Sequence, residues 1–158
     1  MNKILVKPII LFLLFSITSC SYKPIFLEKN YDFQVREISL TGDKDINRTI
    51  QNKLKFIKNN KDNKKKSYNI YIDSTKNKEI VSKDSKGDPV KFEISISVEY
   101  RILNDNNILL NNKIEKKNIY NNDSDPFKLE QTENIILQNL SESVGDAIIS
   151  SIINLDDN

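Results

Sequence analysis

A chain of 158 residues with no histidine, one cysteine and a formal charge of +2 leaves few kinds of chemistry open. Without imidazole there is no histidine acid–base pair, no imidazole metal site and no usual partner for a serine or cysteine nucleophile. Gly-x-Ser-x-Gly, Walker and Gly-x-Gly-x-x-Gly patterns are missing, and the only glycines, Gly42, Gly87 and Gly145, stand far apart, so no catalytic residue, metal ligand set or cofactor is expected.

The first element is a targeting segment. Lys3 and Lys7 precede an apolar run from Pro8 to Ile17, and Thr18-Ser19 lead into Cys20. A basic start, a short apolar core and small residues before a cut are the grammar of a secretory signal. The run is shorter than the roughly 20 apolar residues that span a bilayer. Ile17-Thr18-Ser19-Cys20 reads as a lipobox, with residues 1–19 removed and Cys20 carrying a lipid. A buried core cysteine is the alternative, and it explains fewer of these features. One cysteine forms no internal disulfide, and a thioether-linked lipid accounts for an unpaired thiol outside the cytoplasm. Removing 1–19 takes away two lysines and no acid, so the +2 falls to 0. No strong field then points to nucleic acid.

Residues 20–31 read as a lipidated tether, extended around Tyr22-Lys23-Pro24 because the residue before proline avoids the helical region. Residues 32–158 read as one domain. Phe33 and Val35 share one face of a strand ending at Leu40, and Ile38 and Leu40 fall on the other. The change near Arg36-Glu37 predicts a bulge or twist. Thr41-Gly42-Asp43 breaks the strand, and Asp43 or Asp45 caps a helix over 44–58. Ile46, Ile50, Leu54 and Ile57 form its apolar stripe, with Lys53 at the edge, its stem lying along the apolar surface. The Lys/Asn-rich run 58–66 reads as a solvated loop more readily than as a basic patch.

Tyr68, Ile70 and Ile72 alternate with polar residues as a second strand; its course is poorly marked past Thr75, with Ile80-Val81 as a continuation. Asp84 to Pro89 is turn chemistry. Val90, Phe92, Ile94, Ile96, Val98, Tyr100 and Ile102 then occupy every second position of a third strand, and such alternation places one face on a core and the other on water or a polar partner. Asn104 to Asn107 is a hairpin turn. Ile108, Leu110, Ile114 and Tyr120 mark a return strand, with Lys113, Glu115 and Lys117 on the alternate face and Lys116 on the inner register. Asp125-Pro126 starts a helix running to about Leu155, whose inner face is Ile136, Leu140, Val144, Ala147, Ile148, Ser151, Ile152 and Leu155. Gly145 either permits close packing against the sheet or is simply tolerated.

The order β-α-β-β-β-α predicts an α+β fold: a two-layer sandwich with a four-stranded sheet and two helices on one face. The other sheet face, with Lys91, Glu93, Ser95, Glu99, Arg101, Lys113, Glu115 and Lys117, is either solvated surface or a wet interface.

Several stretches carry a family resemblance: Cys20-Ser21-Tyr22-Lys23-Pro24, the helix residues Asn47-Arg48-Thr49-Ile50-Gln51-Asn52-Lys53-Leu54, the strand end Val98-Glu99-Tyr100-Arg101-Ile102-Leu103-Asn104-Asp105, and Ile119-Tyr120-Asn121 before the last helix. In this order the chain resembles the lipopolysaccharide-assembly lipoprotein family LptE over essentially its whole mature length. The resemblance implies a non-catalytic outer-membrane lipoprotein on the periplasmic face, held by the Cys20 lipid. It would plug and help assemble the β-barrel LptD and assist lipopolysaccharide delivery to the outer leaflet. Bacterial lipoproteins kept at the inner membrane usually carry aspartate after the lipidated cysteine, and Ser21 stands there. Since lipopolysaccharide bears phosphates, the implied contacts for it or for the barrel are Lys86, Lys91, Arg101, Lys113, Lys116 and Lys117. The alternative is a lipid-anchored periplasmic binding or structural lipoprotein with no barrel partner.

Overall fold

Strand β3 (Pro89–Asn104) is the spine of the sheet and pairs antiparallel with β2 (Lys66–Lys83) and β4 (Asn107–Asn121). The computed structural model describes residues 33–58 and 66–156; the signal segment 1–19, Cys20, the tether 20–31 and nearly all of the Lys/Asn-rich run lie outside the described residues. Strand β1 (Phe33–Gly42) runs parallel to β2, giving the order β1-β2-β3-β4, and helices α1 (Lys44–Lys58) and α2 (Pro126–Asp156) complete the α+β fold.

The core lies between one sheet face and the two helices. The predicted α1 stripe of Ile46, Ile50, Leu54 and Ile57 is buried throughout, against Phe33, Tyr68, Ile70, Val98 and Ile102. Each such aliphatic side chain stabilises the fold by roughly 1.5–3 kcal/mol on burial. The expected irregularity in β1 is a bulge: Val35 pairs with Tyr68 and Glu37 with Asn69, leaving Arg36 as the extra residue. That residue restores the parity of the strand, so Ile38 and Leu40 face the core along with Phe33 and Val35.

Two register details depart from the sequence pattern. Strand β2 continues through the polar stretch Lys76 to Glu79, where each residue pairs with the strongly alternating β3, and on to Lys83 with register irregularities on either side of Ser82. At the other end, the β3–β4 register slips between Ile102 and Leu103, so Ile108 pairs with Leu103 instead of joining Leu110 and Ile114 on the core side. Ile108 is left 57% exposed. The turn itself holds Asp105 at φ 50°, a backbone that Asn and Asp tolerate.

Within α2, Val144, Ile148 and Ile152 are buried as the face predicted, together with Leu137 and Ile149. Gly145 serves helix–helix packing and not contact with the sheet: a Cβ there would stand 3.1 Å from the Cβ of Lys53. Lys53 lays its stem in this seam and reaches Asp146 at 3.1 Å. The Asp125 carboxylate caps α2 by accepting from the Phe127 amide at 3.0 Å.

Gly42 is where β1 turns into α1. Its φ is +92°, and an added Cβ would collide with the Ser74 carbonyl oxygen. The Asp43 amide donates to that same oxygen at 3.0 Å. Buried Ser74 donates to Asn47 Oδ1 at 2.9 Å, and Asn47 Nδ2 donates to the Thr41 carbonyl at 2.8 Å. Asp43 Oδ1 accepts from the amides of Asp45 and Ile46 at 3.0 and 3.1 Å, capping α1, and Lys76 approaches the other oxygen at 3.5 Å. Burial alone would raise the Asp43 pKa, but the Ile46 amide, Lys76 and the Asp45 amide together hold it below the ordinary aspartate value.

Gly42→Ala should therefore cost about 3 kcal/mol or more by chemical denaturation, combining backbone strain with a steric clash. Gly87 also has φ +92° but no atom near the added Cβ, so Gly87→Ala should cost only about 1–2 kcal/mol. Because the Asp43 pKa is depressed in the folded state, its stabilisation is complete above about pH 4 and is lost as pH falls further. Asp43→Asn should flatten that acid limb in a pH series of melting temperatures, with loss of about 1 kcal/mol or less at neutral pH because asparagine also caps helices.

Candidate interaction surface

From Asn69 to Glu79 on β2, Lys91 to Arg101 on β3 and Asn111 to Asn121 on β4, odd-numbered residues point away from the helices, and their register sets them in rows across the sheet. Ser39, Tyr71, Arg101 and Asn111 form one row, and Thr41, Asp73, Glu99 and Lys113 the next. Thr75, Ser97 and Glu115 follow, then Asn77, Ser95 and Lys117. Carboxylates, cations, hydroxyls and amides are interspersed, and among the described residues no helix covers this side.

Shallow grooves lie on this face among the described residues. One, of about 380 Å³, is lined by Ser39, Thr41, Tyr71, Asp73, Glu99 and Arg101 among others. The Arg101 guanidinium lies 5.7 Å from the Tyr71 ring centroid, and Thr41 Oγ1 donates to Asp73 Oδ1 at 2.8 Å. Asp73 and Glu99 sit directly opposite each other, a like-charge cross-strand pair of the kind that disfavours an isolated sheet. The second groove, of about 520 Å³, is lined by Thr75, Asn77, Glu93, Ser95, Ser97, Glu115 and Lys117, with Lys116 at its rim.

The six predicted contact residues do not converge. Lys91, Arg101, Lys113 and Lys117 share the outward face, as the alternation implied. Lys116 lies on the inner register opposite Ile96, at the exposed β4 edge. Lys86 sits in the β2–β3 turn at the far end of the sheet, where its amide donates to Asp84 Oδ1 at 2.9 Å. Two of the cations are occupied locally: Lys113 bonds Glu115 at 2.7 Å and Lys117 bonds Glu93 at 3.2 Å. The hydrogen bond with Glu115 raises the Lys113 pKa, and its counterpart lowers that of Glu115. Tyr71, Asp73, Thr41 and Asn111 complete the first groove and were not singled out from sequence. They meet only through the β1–β2–β3–β4 register, which no local pattern encodes.

No protein-family model matches this chain, and no curated protein matches it in sequence. Solved structures do share its fold. Rare lipoprotein B of Shewanella oneidensis is 15% identical, with a TM-score of 0.56, over 74% of this chain and 93% of that one. An uncharacterized lipoprotein B of Nitrosomonas europaea is also 15% identical, at TM-score 0.58, over 84% and 90%. A minor lipoprotein of Acinetobacter baumannii is 14% identical, at TM-score 0.55, over 75% and 90%. At these identities the likeness is one of fold.

Exposed ion pairs contribute little to stability because solvent screens them and long side chains resist ordering. Lys113→Ala should shift the unfolding free energy by no more than about 0.5 kcal/mol in urea titrations, and Arg101→Ala, which loses an exposed cation–π contact with Tyr71, by about 1 kcal/mol or less.

Proposed function

We propose that this chain is a lipid-anchored outer-membrane lipoprotein that plugs and helps assemble a β-barrel of the LptD type and assists delivery of lipopolysaccharide to the outer leaflet. It acts by binding and positioning, without catalysis. The observation that carries this reading is one chain that joins a lipidation signal at Cys20 to a sheet with one sealed face and one open polar face. The similarity in fold to three proteins named as lipoproteins supports it.

Barrel lumens are polar and wet, so a plug needs an exterior that trades hydrogen bonds and ion pairs with the wall while its apolar groups stay in its own core. The rows from Ser39 to Lys117 supply that surface. Arg101, Lys113 and Lys117, with Lys91 and Lys86 toward the far end, are the cations available to barrel carboxylates or to lipopolysaccharide phosphates.

The test is affinity purification of the tagged full chain from solubilised outer membranes. The expected result is stoichiometric recovery of an outer-membrane β-barrel, with Cys20→Ala moving the protein out of the membrane fraction. A wild-type chain that purifies alone, still membrane-bound through Cys20, would contradict the barrel reading and favour a lipid-anchored binding or structural protein instead.

A further inference from the structure

The contiguous core ends at Ile96 on β3. Ile94 and Tyr120 are buried, 3% and 7% exposed, yet neither belongs to that core. They form a satellite with Phe92, which stacks on Tyr120 at a centroid distance of 5.8 Å. The first third of α2 meets this satellite, where Glu133 bonds Tyr120, while β1 has ended level with Ser74.

That third of the helix is fastened unusually. From Pro126 to Ile136 no side chain is buried, and Phe127 and Ile135 stand 73% and 53% exposed; Leu137 is the first buried residue. Leu129 and Ile136 are half-buried on the same helix face as Glu133, and the polar fastening is Glu133 itself, whose Oε1 accepts from Lys78 Nζ at 2.6 Å and from the Tyr120 hydroxyl at 2.7 Å. The same Lys78 ammonium lies 4.6 Å from the Phe92 ring centroid, so one cation ties helix, aromatic pair and strand β2 together. Burial alone would raise the Glu133 pKa, but the bonds from Lys78 and Tyr120 outweigh it and hold the carboxyl below its ordinary value. Burial first, and Glu133 second, push the Tyr120 hydroxyl well above its own.

We infer that Pro126–Ile136 is a detachable arm, clipped to the sheet by Glu133 and hinged at Leu137, whose release uncovers the apolar strip Phe92, Ile94 and Tyr120. The rest of α2, from Leu137 to Ile152, is anchored in the main core and stays in place when the arm opens. A helix with deep apolar anchoring at one end, and only half-buried Leu129 and Ile136 with a polar clip at the other, has two levels of local stability along one continuous hydrogen-bond ladder. The arm is a property of this domain by itself and does not depend on the barrel reading.

Hydrogen exchange with mass spectrometry on the full chain in detergent tests it. Amides of residues 131–136, beyond the first turn that frays in any helix, should exchange at least about tenfold faster than those of 144–152. Glu133→Gln should accelerate 131–136 by a further factor of about ten and leave 144–152 unchanged. Tyr120→Phe, which removes one hydrogen bond and keeps the ring, should accelerate the same segment by less, and it decides the matter if Glu133→Gln lowers the stability of the whole domain. Uniform protection along α2, or acceleration by Tyr120→Phe spread evenly over both segments, would overturn the inference.

Discussion

The junction at Gly42 governs how this molecule is laid out. Strand β1 stops there, level with Ser74, because the backbone turns through a left-handed conformation against the Ser74 carbonyl with no room for a side chain. The Ser74–Asn47–Thr41 hydrogen bonds satisfy the buried polar groups that such a turn creates. Since β2 spans 18 residues, roughly 60 Å of extended chain, the turn comes near its middle. Among the described residues, the sheet on one side of it has four strands and two helices. On the other side it has three strands and one helix.

Much else follows from that division. The half bearing β1 and α1 holds the continuous apolar core and most of the burial. The far half has a narrow apolar strip on β3, flanked by Lys76 and Lys78 on β2 and by Lys116 and Asn118 on β4. Polar flanks of this kind narrow the apolar area a covering helix can bury, so half-buried Leu129 and Ile136 are supplemented there by Glu133, Lys78 and Tyr120. Apolar packing thus dominates one end of the domain and charge-assisted hydrogen bonds the other.

The parts of this plan that were legible in the sequence are those fixed by local periodicity. Alternation along β3 marked the buried face from Ile94 to Ile102, though its first member, Val90, is 40% exposed; the stripe Ile46, Ile50, Leu54 and Ile57 marked that of α1, and the parity break at Arg36-Glu37 marked a bulge or twist that proves to be a bulge. The far half of β2 was obscure because its inner positions are Lys76 and Lys78, which look solvated until Ile94 and Ile96 are seen beside them. Ile108 followed the apolar parity of its strand and was displaced by a one-residue slip after the turn. The outward face was legible as a set of charged residues, but its grooves were not. Tyr71, Asp73, Glu99 and Thr41 come from three strands, and their meeting depends on register between strands far apart in sequence. Cys20 and the tether belong to the sequence reading alone.

An open sheet face of mixed charge beside a sealed core is the feature on which the functional account rests, so the most direct measurement places a probe on that face. A photo-crosslinking residue at Arg101, in intact envelopes of cells making the full chain, should yield an adduct with an outer-membrane β-barrel, identified by mass spectrometry. Failure to crosslink a barrel from Arg101, and equally from Lys113 and Ser95 on the same face, would contradict the account.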